Sequence, residues 1–424
     1  MAADPAVTAK DLSIQQTTLA SGIRLVTERM PEALSVSSGV WVGVGARDED
    51  RSISGVSHFL EHLLFKGTED RTAKSIAEVI DRVGGDMNAF TSKEVTAYYT
   101  RLPARHWALG LEILGSVVSS PALRDADVET EREVILEELG MDEDALDDRA
   151  LTLLAESLFP DHPLGWETAG DKESVIAITP DDVRTFFAKW YRPANMVVSL
   201  AGAIDHDEAV AAVEKWFTSA PGGVKPERVA PVSNTRPLAV VRKKSEQAHI
   251  AMGYRAVDRD DPDREALEVA SQVLGGGPSS RLFDEIREQR GLAYSVFASQ
   301  VTYADAGALS VYVGTSPDHV GEVLDIIDRE LDGLANDGVT DHELDIAKGY
   351  LGGAFVLGLE DSASRMSRLA GHVSARGHVR SVEDQVARID AVTGDDVRRV
   401  AKRVLSGQQA LAVVGPVTKK SLAR

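Results

Sequence analysis

The chain has 424 residues, no cysteine and a formal charge of −21, from 46 Lys and Arg against 67 Asp and Glu. The composition excludes disulfides, thiolate catalysis and cysteine zinc sites, and the acidity argues against binding to nucleic acid or anionic membranes. No run of residues is apolar enough to span a bilayer, and the first residues lack the apolar core of a secretory signal. We therefore expect a cytoplasmic protein with two or three domains of about 150 residues each.

Apolar periodicity predicts mixed strands and helices along the first half of the chain. The predicted elements, in chain order, are strands at 22–28 and 36–44, helices at 54–65 and 75–83, strands at 87–92 and 96–102, an acidic helical region at 125–159, a helix at 180–190 and a strand at 196–202. Thr179 suits the N-cap of the helix at 180–190, and Pro180 suits its first position. Residues 220–237 hold four Pro and two Gly without a sustained period, which predicts an interdomain linker.

Two sequence echoes indicate that the second half repeats the fold of the first. TPDDV at 179–183 is echoed by TGDDV at 393–397, and GGDMNAFTS at 84–92 is echoed by GLAYSVFAS at 291–299. Because the two pairs have nearly the same spacing, they predict two similar domains of about 210 residues. We predict an α+β fold with a mixed, mainly antiparallel sheet and helices in each domain. The predicted ranges are an N-terminal domain at 1–219, the linker at 220–237 and a C-terminal domain at 238–424.

The sharpest motif is His-Phe-Leu-Glu-His at 58–62. On a helix, His58 and His62 share one face, so both imidazoles can reach one metal ion, with Glu61 beside them. This HxxEH order is the inverzincin signature, in which a carboxylate takes the proton of a zinc-activated water. The alternative is two histidines that share a helix by chance.

Catalytic zinc needs a third protein ligand. The other histidines are scattered, so a carboxylate of the acidic helix at 129–138 is favoured, although spacing alone does not choose among them. Glu131 and Glu138 are two turns apart and therefore share a face of that helix.

The segment HFLEHLLFKGT resembles the zinc-site helix of the pitrilysin-type peptidases, especially the β subunit of the mitochondrial processing peptidase and its bacterial relatives. GGDMNAFTSKEVTAYYT, ETEREVILEEL, HPLG and LGGGPSSRLFDEIREQRGLAYSV resemble further blocks of that family in the same order. The resemblance covers nearly the whole chain. It implies one zinc ion per chain, with His58, His62 and Glu138 as its ligands. It also implies that Glu61 is the general base and that Glu131 is a supporting carboxylate.

The resemblance also implies how a peptide substrate is held. Tyr294 would donate to the oxyanion of the reaction and Arg287 would anchor the substrate. Asn88 and Ala89 match an exposed edge strand, to which a peptide adds as an extra strand. Asp148 matches one of two acidic positions with which the mitochondrial enzyme reads an upstream arginine, and the other position is Thr152.

Together these observations predict a zinc endopeptidase for unfolded peptides. The resemblance implies a chamber between two copies of the chain, with the second domain of one copy completing the active site of the other. Two alternatives stay open. One is a non-catalytic assembly subunit of the same family, which typically loses part of the zinc motif. The other is a metal-dependent hydrolase of a different substrate.

Overall fold

The computed structural model describes residues 13–232 and 234–422. Their contacts form two compact units, and each unit draws on both halves of the chain. The first takes the described residues of 1–137, 167–228 and 357–380, and the second those of 138–166, 229–356 and 381–424. The division into 1–219, 220–237 and 238–424 follows chain order instead, and it stays a prediction.

The predicted elements are present, with ends shifted by a few residues. The strands are β1 (Ile14–Thr18), β2 (Arg24–Arg29), β3 (Ser35–Val42), β4 (Asp86–Thr91), β5 (Thr96–Pro103), β6 (Met196–Gly202), β7 (Leu238–Arg242), β8 (Ala248–Ala256), β9 (Ala293–Thr302), β10 (Gly307–Thr315) and β11 (Ala410–Gly415). The α-helices are α1 (Val56–Leu64), α2 (Ala73–Arg82), α3 (Trp107–Ser119), α4 (Asp125–Asp144), α5 (Leu146–Leu158), α6 (Lys172–Ala177), α7 (Pro180–Trp190), α8 (His206–Trp216), α9 (Arg264–Gly275), α10 (Val320–Asn336), α11 (Asp341–Gly358), α12 (Ser362–Arg376), α13 (Val382–Asp390) and α14 (Gly394–Leu405).

The first unit is built on a six-stranded sheet in the order β1-β2-β6-β3-β5-β4. Strands β2 and β6 are parallel, and the other neighbours are antiparallel. Strand β6 is buried along its whole length between β2 and β3, which is why its sequence is a nearly continuous apolar run. Strand β4 ends the sheet and pairs only with β5 within the described part of the chain.

The second unit repeats this topology. Its five-stranded sheet has the order β7-β11-β8-β10-β9, which matches β2-β6-β3-β5-β4 of the first sheet, and β7 and β11 form the equivalent parallel pair. Helices α7 and α14 begin alike, because Thr179 and Thr393 each accept a hydrogen bond from the main chain of an Asp three residues later. The predicted α+β fold with two similar sheets is confirmed.

Two helices pack on a sheet whose strands come from the other half of the sequence. Helix α5 packs on β8 and β11 of the second sheet, where Leu154 and Leu158 share a core with Ala412. Helix α12 packs on β3 and β6 of the first sheet, where Met366 and Leu369 share a core with other apolar side chains. This exchange explains why both units are assembled from separate stretches of sequence.

The predicted helical region over 125–159 consists of two helices separated by one residue. Ala145 has an extended backbone (φ −79°, ψ 94°), which ends α4 at Asp144 and starts α5 at Leu146. The acidic composition continues across this break, so the break cannot be recognised from the sequence pattern. The break separates α4, which carries the predicted carboxylates, from α5, which belongs to the second sheet.

Residues 220–237, with Ser233 outside the description, form no helix or strand. The segment is nevertheless tied at both ends. Arg228 donates to both carboxylate oxygens of Asp48, at 2.9 and 2.8 Å, in the first unit. The main-chain N–H of Arg236 donates to the carbonyl of Ser157, at 2.8 Å, in the second. Over the residues that the structure describes, no helix is both long and apolar enough to cross a membrane.

Candidate metal centre and active site

Helix α1 separates an apolar face from a polar one. Phe59, Leu60 and Leu63 are fully buried. The remaining face carries the side chains of the HxxEH motif, which are only partly buried. Since residues three and four apart share a side of a helix, burial of the leucines aims the polar motif residues in one direction.

The three predicted ligands come together. One ligand atom each from His58, His62 and Glu138 lies within 4.8 Å of the other two. Among the described residues this is the one group of at least three such side chains that could hold a metal ion. Glu138 comes from α4, a continuous helix in which the contact boundary between the units falls after Glu137. Two imidazoles and a carboxylate are a donor set that fits catalytic zinc, which binds at about 2.0–2.2 Å and keeps one position open.

His58 is held in the form that binds metals. Burial, and then the neighbouring His62, lower the pKa of His58 from 6.5 to about 4. The imidazole is therefore neutral at neutral pH, and a neutral ring nitrogen is the form that coordinates a metal. The two rings meet edge to face, with centroids 4.7 Å apart.

Glu131 contacts His62, while its supporting role at a metal stays a prediction. The Nδ1–H of His62 donates to Oε2 of Glu131 at 3.1 Å, because a carboxylate can only accept. This bond leaves Nε2 of His62 as the nitrogen for the metal. The other oxygen of Glu131 forms an ion pair with Lys66, and Glu131 itself is 5% exposed.

Glu61 is oriented by a residue that sequence reasoning missed. The hydroxyl of Thr91, the last residue of β4, donates to Oε2 of Glu61 at 2.6 Å. Lys66 was missed as well. The alternation of β4 could have placed Thr91 on the same side as Met87 and Ala89, but the pairing with Glu61 spans 30 residues and depends on the tertiary fold.

A cavity of about 580 Å³ opens beside this group, within the first unit. Its polar end is formed by Glu61, His62, Lys66 and Glu131. Its walls, from α1, α2 and the start of β4, combine apolar and polar side chains: Phe65, Ala73, Ile76, Ala77, Ile80 and Met87 with Asp81, Asp86 and Asn88. The cavity therefore has room for a side chain next to the motif carboxylate.

The predicted edge strand is an edge in the structure. Asn88 and Ala89 pair with Tyr99 and Tyr98 of β5 on one side of β4. The side-chain oxygen of Asn88 accepts the N–H of Ala89 at 2.8 Å. Among the described residues no strand pairs with the other side of β4, and the role of Asn88 and Ala89 in substrate binding stays a prediction.

Arg287 and Tyr294 lie in the second unit and touch each other. The guanidinium carbon of Arg287 is 4.6 Å from the ring centroid of Tyr294, which is a cation–π contact. Arg287 belongs to a π-helical segment at Phe283–Gln289, and Tyr294 is 78% exposed on β9. Segments of this wide helix type occur frequently at functional sites. Their action at the metal stays a prediction.

Asp148 is exposed in the first turn of α5, also in the second unit. Burial and then the charges of Asp147 and Asp148 raise the pKa of Tyr312. The hydroxyl of Tyr312 is 2.8 Å from Nδ1 of His249. The structure thus gives Asp148 an anionic neighbour in Asp147, and its predicted contact with substrate is untested.

Comparison with known proteins bears on this arrangement. Residues 24–172 match the domain described as Insulinase (Peptidase family M16), and residues 177–351 match the Peptidase M16 inactive domain. An uncharacterized zinc protease of Mycobacterium bovis is 43% identical over 426 residues, covering 99% of this chain and 97% of that protein. The uncharacterized zinc protease YmxG of Bacillus subtilis is 36% identical over 409 residues, covering 95% and 98%. This chain belongs to peptidase family M16.

The M16 fold extends to solved structures. A protease from Helicobacter pylori has a TM-score of 0.87 and 24% identity, over 95% of this chain and 99% of that one. The peptidase M16 inactive domain from Pseudomonas fluorescens has a TM-score of 0.89 and 22% identity, over 96% and 98%. In this M16 chain, His58, His62 and Glu138 fall in the range matched by the first domain. The range named inactive contains no second HxxEH sequence.

Proposed function

We propose that this M16 protein is a zinc-dependent endopeptidase that cleaves unfolded peptides. The observation that carries the proposal is that His58, His62 and Glu138 lie close enough together to bind one metal ion. Glu61 lies beside the two histidines on the same face of α1. Two hydrogen bonds support the proposal, since Glu131 contacts His62 and Thr91 donates to Glu61. The family membership and the names of the relatives agree with this chemistry.

Bound zinc would supply a lowered pKa for a water molecule and polarise the peptide carbonyl. Glu61 takes the proton of the attacking water and passes it to the nitrogen that leaves. The hydroxyl of Thr91 donates to one oxygen of Glu61 and so fixes the orientation of the carboxylate. Glu131 keeps His62 in the tautomer that binds through Nε2.

The substrate adds to the free edge of β4 as an extra strand, using main-chain hydrogen bonds along Asn88 and Ala89. This mode makes few demands on side chains, which suits unfolded peptides of varied sequence. The cavity beside Glu61 receives one side chain of the peptide. An unfolded peptide suits this mode because its main-chain groups are unpaired, whereas most main-chain groups of a folded protein already have partners.

The working form is a homodimer in which each copy completes the other's site. Arg287 and Tyr294 of one copy contact the peptide held by the other, where Tyr294 donates to the developing oxyanion. The exposure of Tyr294 and its contact with Arg287 support this role, since an exposed tyrosine beside a cation is available to a ligand.

The test is cleavage of a mixed pool of short unfolded peptides, followed by mass spectrometry, with zinc-loaded wild type beside Glu61→Gln. We expect cleavage by wild type and a loss of about 10²–10⁴-fold in the variant, the usual contribution of a general base. The matched control is Glu69→Gln, an exposed glutamate just beyond α1, which should cleave as wild type does. Equal cleavage by Glu61→Gln, or none by zinc-loaded wild type, would refute the proposal.

A further inference from the structure

A buried carboxylate outside the motif holds the start of the metal helix. Glu49 is 5% exposed, and it lies in an irregular segment before α1. Its Oε2 accepts the N–H of Gly55 and its Oε1 accepts the N–H of Ser57, each at 2.7 Å. One side chain therefore binds two of the main-chain donors that the start of a helix leaves without partners inside the helix.

The helix cannot supply this cap itself. Its N-cap residue is Gly55, which has a left-handed backbone at φ +95° and makes no side-chain cap. A β-carbon at this position would run into the carbonyl of Ala169. The Ser, Thr, Asp and Asn residues that usually cap helices are thus excluded here, and Glu49 provides the cap from six residues upstream.

The capped turn is the one that carries the first metal ligand. Ser57, which donates to Glu49, directly precedes His58. A change in the first turn therefore moves the backbone of His58 directly, whereas His62 lies a full turn further on and is held by Glu131.

The segment that contains Glu49 also contacts the residues that follow Thr91 at the end of β4. The main-chain N–H groups of Ala46 and Arg47 donate to the carbonyls of Ser92 and Lys93, at 3.0 and 2.8 Å. Those carbonyls directly follow Thr91, the residue that orients Glu61. The stretch at 45–49 thus joins the first turn of α1 to the end of β4.

We propose that Glu49 is a positioning residue of the metal site, which fixes the first turn of α1, and with it His58, relative to the end of β4. The inference rests on the proposed function for its meaning in catalysis. Its effect on metal binding stands on the geometry of the helix start alone.

The charges around Glu49 bear on how it works. Lys93 faces it, and Glu167 faces Lys93 in turn. Burial raises the pKa of Glu49 to about 7, while the N–H groups of Ser57 and Gly55 and the charge of Lys93 oppose that rise. The ionised form has two acceptor oxygens for the two N–H groups, whereas the protonated form offers one of them a hydroxyl.

The test compares wild type, Glu49→Gln and Asp50→Asn. The amide that Glu49→Gln introduces accepts one N–H but presents an NH₂ to the other. Asp50 is the matched control, because it is adjacent, exposed and makes no side-chain cap. The readouts are zinc affinity, by competition with a chelator, and hydrogen exchange of the main-chain amides at 54–60.

We expect Glu49→Gln to weaken zinc binding about tenfold and to speed exchange in the first turn of α1, with Asp50→Asn close to wild type. Zinc affinity and exchange within twofold of wild type, or an equal loss in Asp50→Asn, would overturn the inference. Neither readout needs peptide cleavage, so a chain that binds zinc but cleaves nothing refutes the proposed function and leaves this inference to be judged by zinc affinity and exchange.

If Glu49→Gln does not fold, zinc-loaded wild type serves instead. Exchange of the same amides, corrected for its intrinsic dependence on pH, should become faster as pH rises through about 7, because the ionised Glu49 is less stable buried against the closed turn than exposed to water in an opened one. Unchanged protection over this range would contradict the inference.

Discussion

At the residue scale, the site depends on carboxylates with separate tasks. Glu138 joins the metal group, Glu131 orients His62, and Glu61 is held by Thr91. All three are acidic, yet their surroundings differ, because each meets a different partner. The partner decides the role, and this is why the acidic composition of α4 alone does not identify the third ligand.

Glu131→Gln tests the supporting role. The amide keeps the size of the side chain but loses the charge that holds the Nδ1 proton of His62 and the ion pair with Lys66. We expect zinc affinity to fall by about 10–100-fold, the usual cost of losing such a partner. Chelator competition measures it, with Glu133→Gln, an exposed neighbour on α4, as the control. Similar zinc affinity in both variants would show that Glu131 does not support the ligand.

Local spacing predicted the residues of α1 because the helical repeat alone places His58, Glu61 and His62 on one side. Thr91, Lys66 and Glu49 escaped prediction for a physical reason. Each acts through a contact that exists only once separate elements have packed together. The roles given to Glu138 and Glu131 came from resemblance, and the geometry now supplies their contacts.

At the scale of the element, the start of α1 is a tightly determined turn. The left-handed backbone of Gly55 and the nearby carbonyl of Ala169 leave no room for a side chain. Gly84, after α2, has a similar backbone at φ +67° but open space around it. Substituting each glycine by alanine therefore distinguishes the energetic cost of the left-handed backbone from the cost of a steric clash.

Gly55→Ala should lower the free energy of unfolding by more than Gly84→Ala does. The left-handed backbone alone costs a non-glycine residue about 1–2 kcal/mol, which we expect for Gly84→Ala. Gly55→Ala adds the collision with Ala169 and should also weaken zinc binding, because the turn that holds His58 must shift. Urea unfolding of both variants is the measurement, and equal losses would contradict this view of the turn.

The cap itself predicts a dependence of stability on pH. The pKa of Glu49 is raised by burial to about 7, so the folded protein keeps a proton that the unfolded chain releases near pH 4.5. The contribution of this retained proton to the free energy of unfolding is complete below about pH 4.5 and is lost as pH rises to about 7. At about 1.4 kcal/mol per pKa unit, the loss is about 2–4 kcal/mol.

Urea unfolding between pH 5 and pH 8 measures this effect as the difference between wild type and Glu49→Gln. Groups that titrate in both proteins cancel in the difference. We expect wild type to lose stability relative to the variant as pH rises. A difference that stays constant would show that Glu49 titrates as an ordinary surface carboxylate does.

At the scale of the whole molecule, the sequence predicted that the two units have similar folds. It did not predict that each unit is assembled from separate stretches of the chain. The echoed segments coincide with α7 and α14 and with β4 and β9, which occupy equivalent places in the two units. Short capped helices and edge strands carry strong local signals, so their repetition survives in the sequence. The exchange of α5 and α12 depends on which sheet each helix covers, and an amphipathic helix does not record that choice.

Completion of the site by a second copy is tested by mixing two inactive proteins. Glu61→Gln lacks the base but keeps Tyr294, and Tyr294→Phe lacks the phenol but keeps the base. If subunits exchange, a mixed dimer contains one site with both groups, and peptide cleavage should return in the mixture. Exchange is verified separately with differently tagged copies. No recovery despite verified exchange would rule out completion by a second copy.

The central claim is that one metal ion, held by His58, His62 and Glu138, makes this chain a peptidase. The most direct measurement is a zinc titration of metal-free wild type, with bound metal and the initial rate of peptide cleavage followed together. We predict that the rate rises with bound zinc and levels off at one ion per chain. Binding of one zinc ion per chain without cleavage would contradict the account and favour a non-catalytic member of the family.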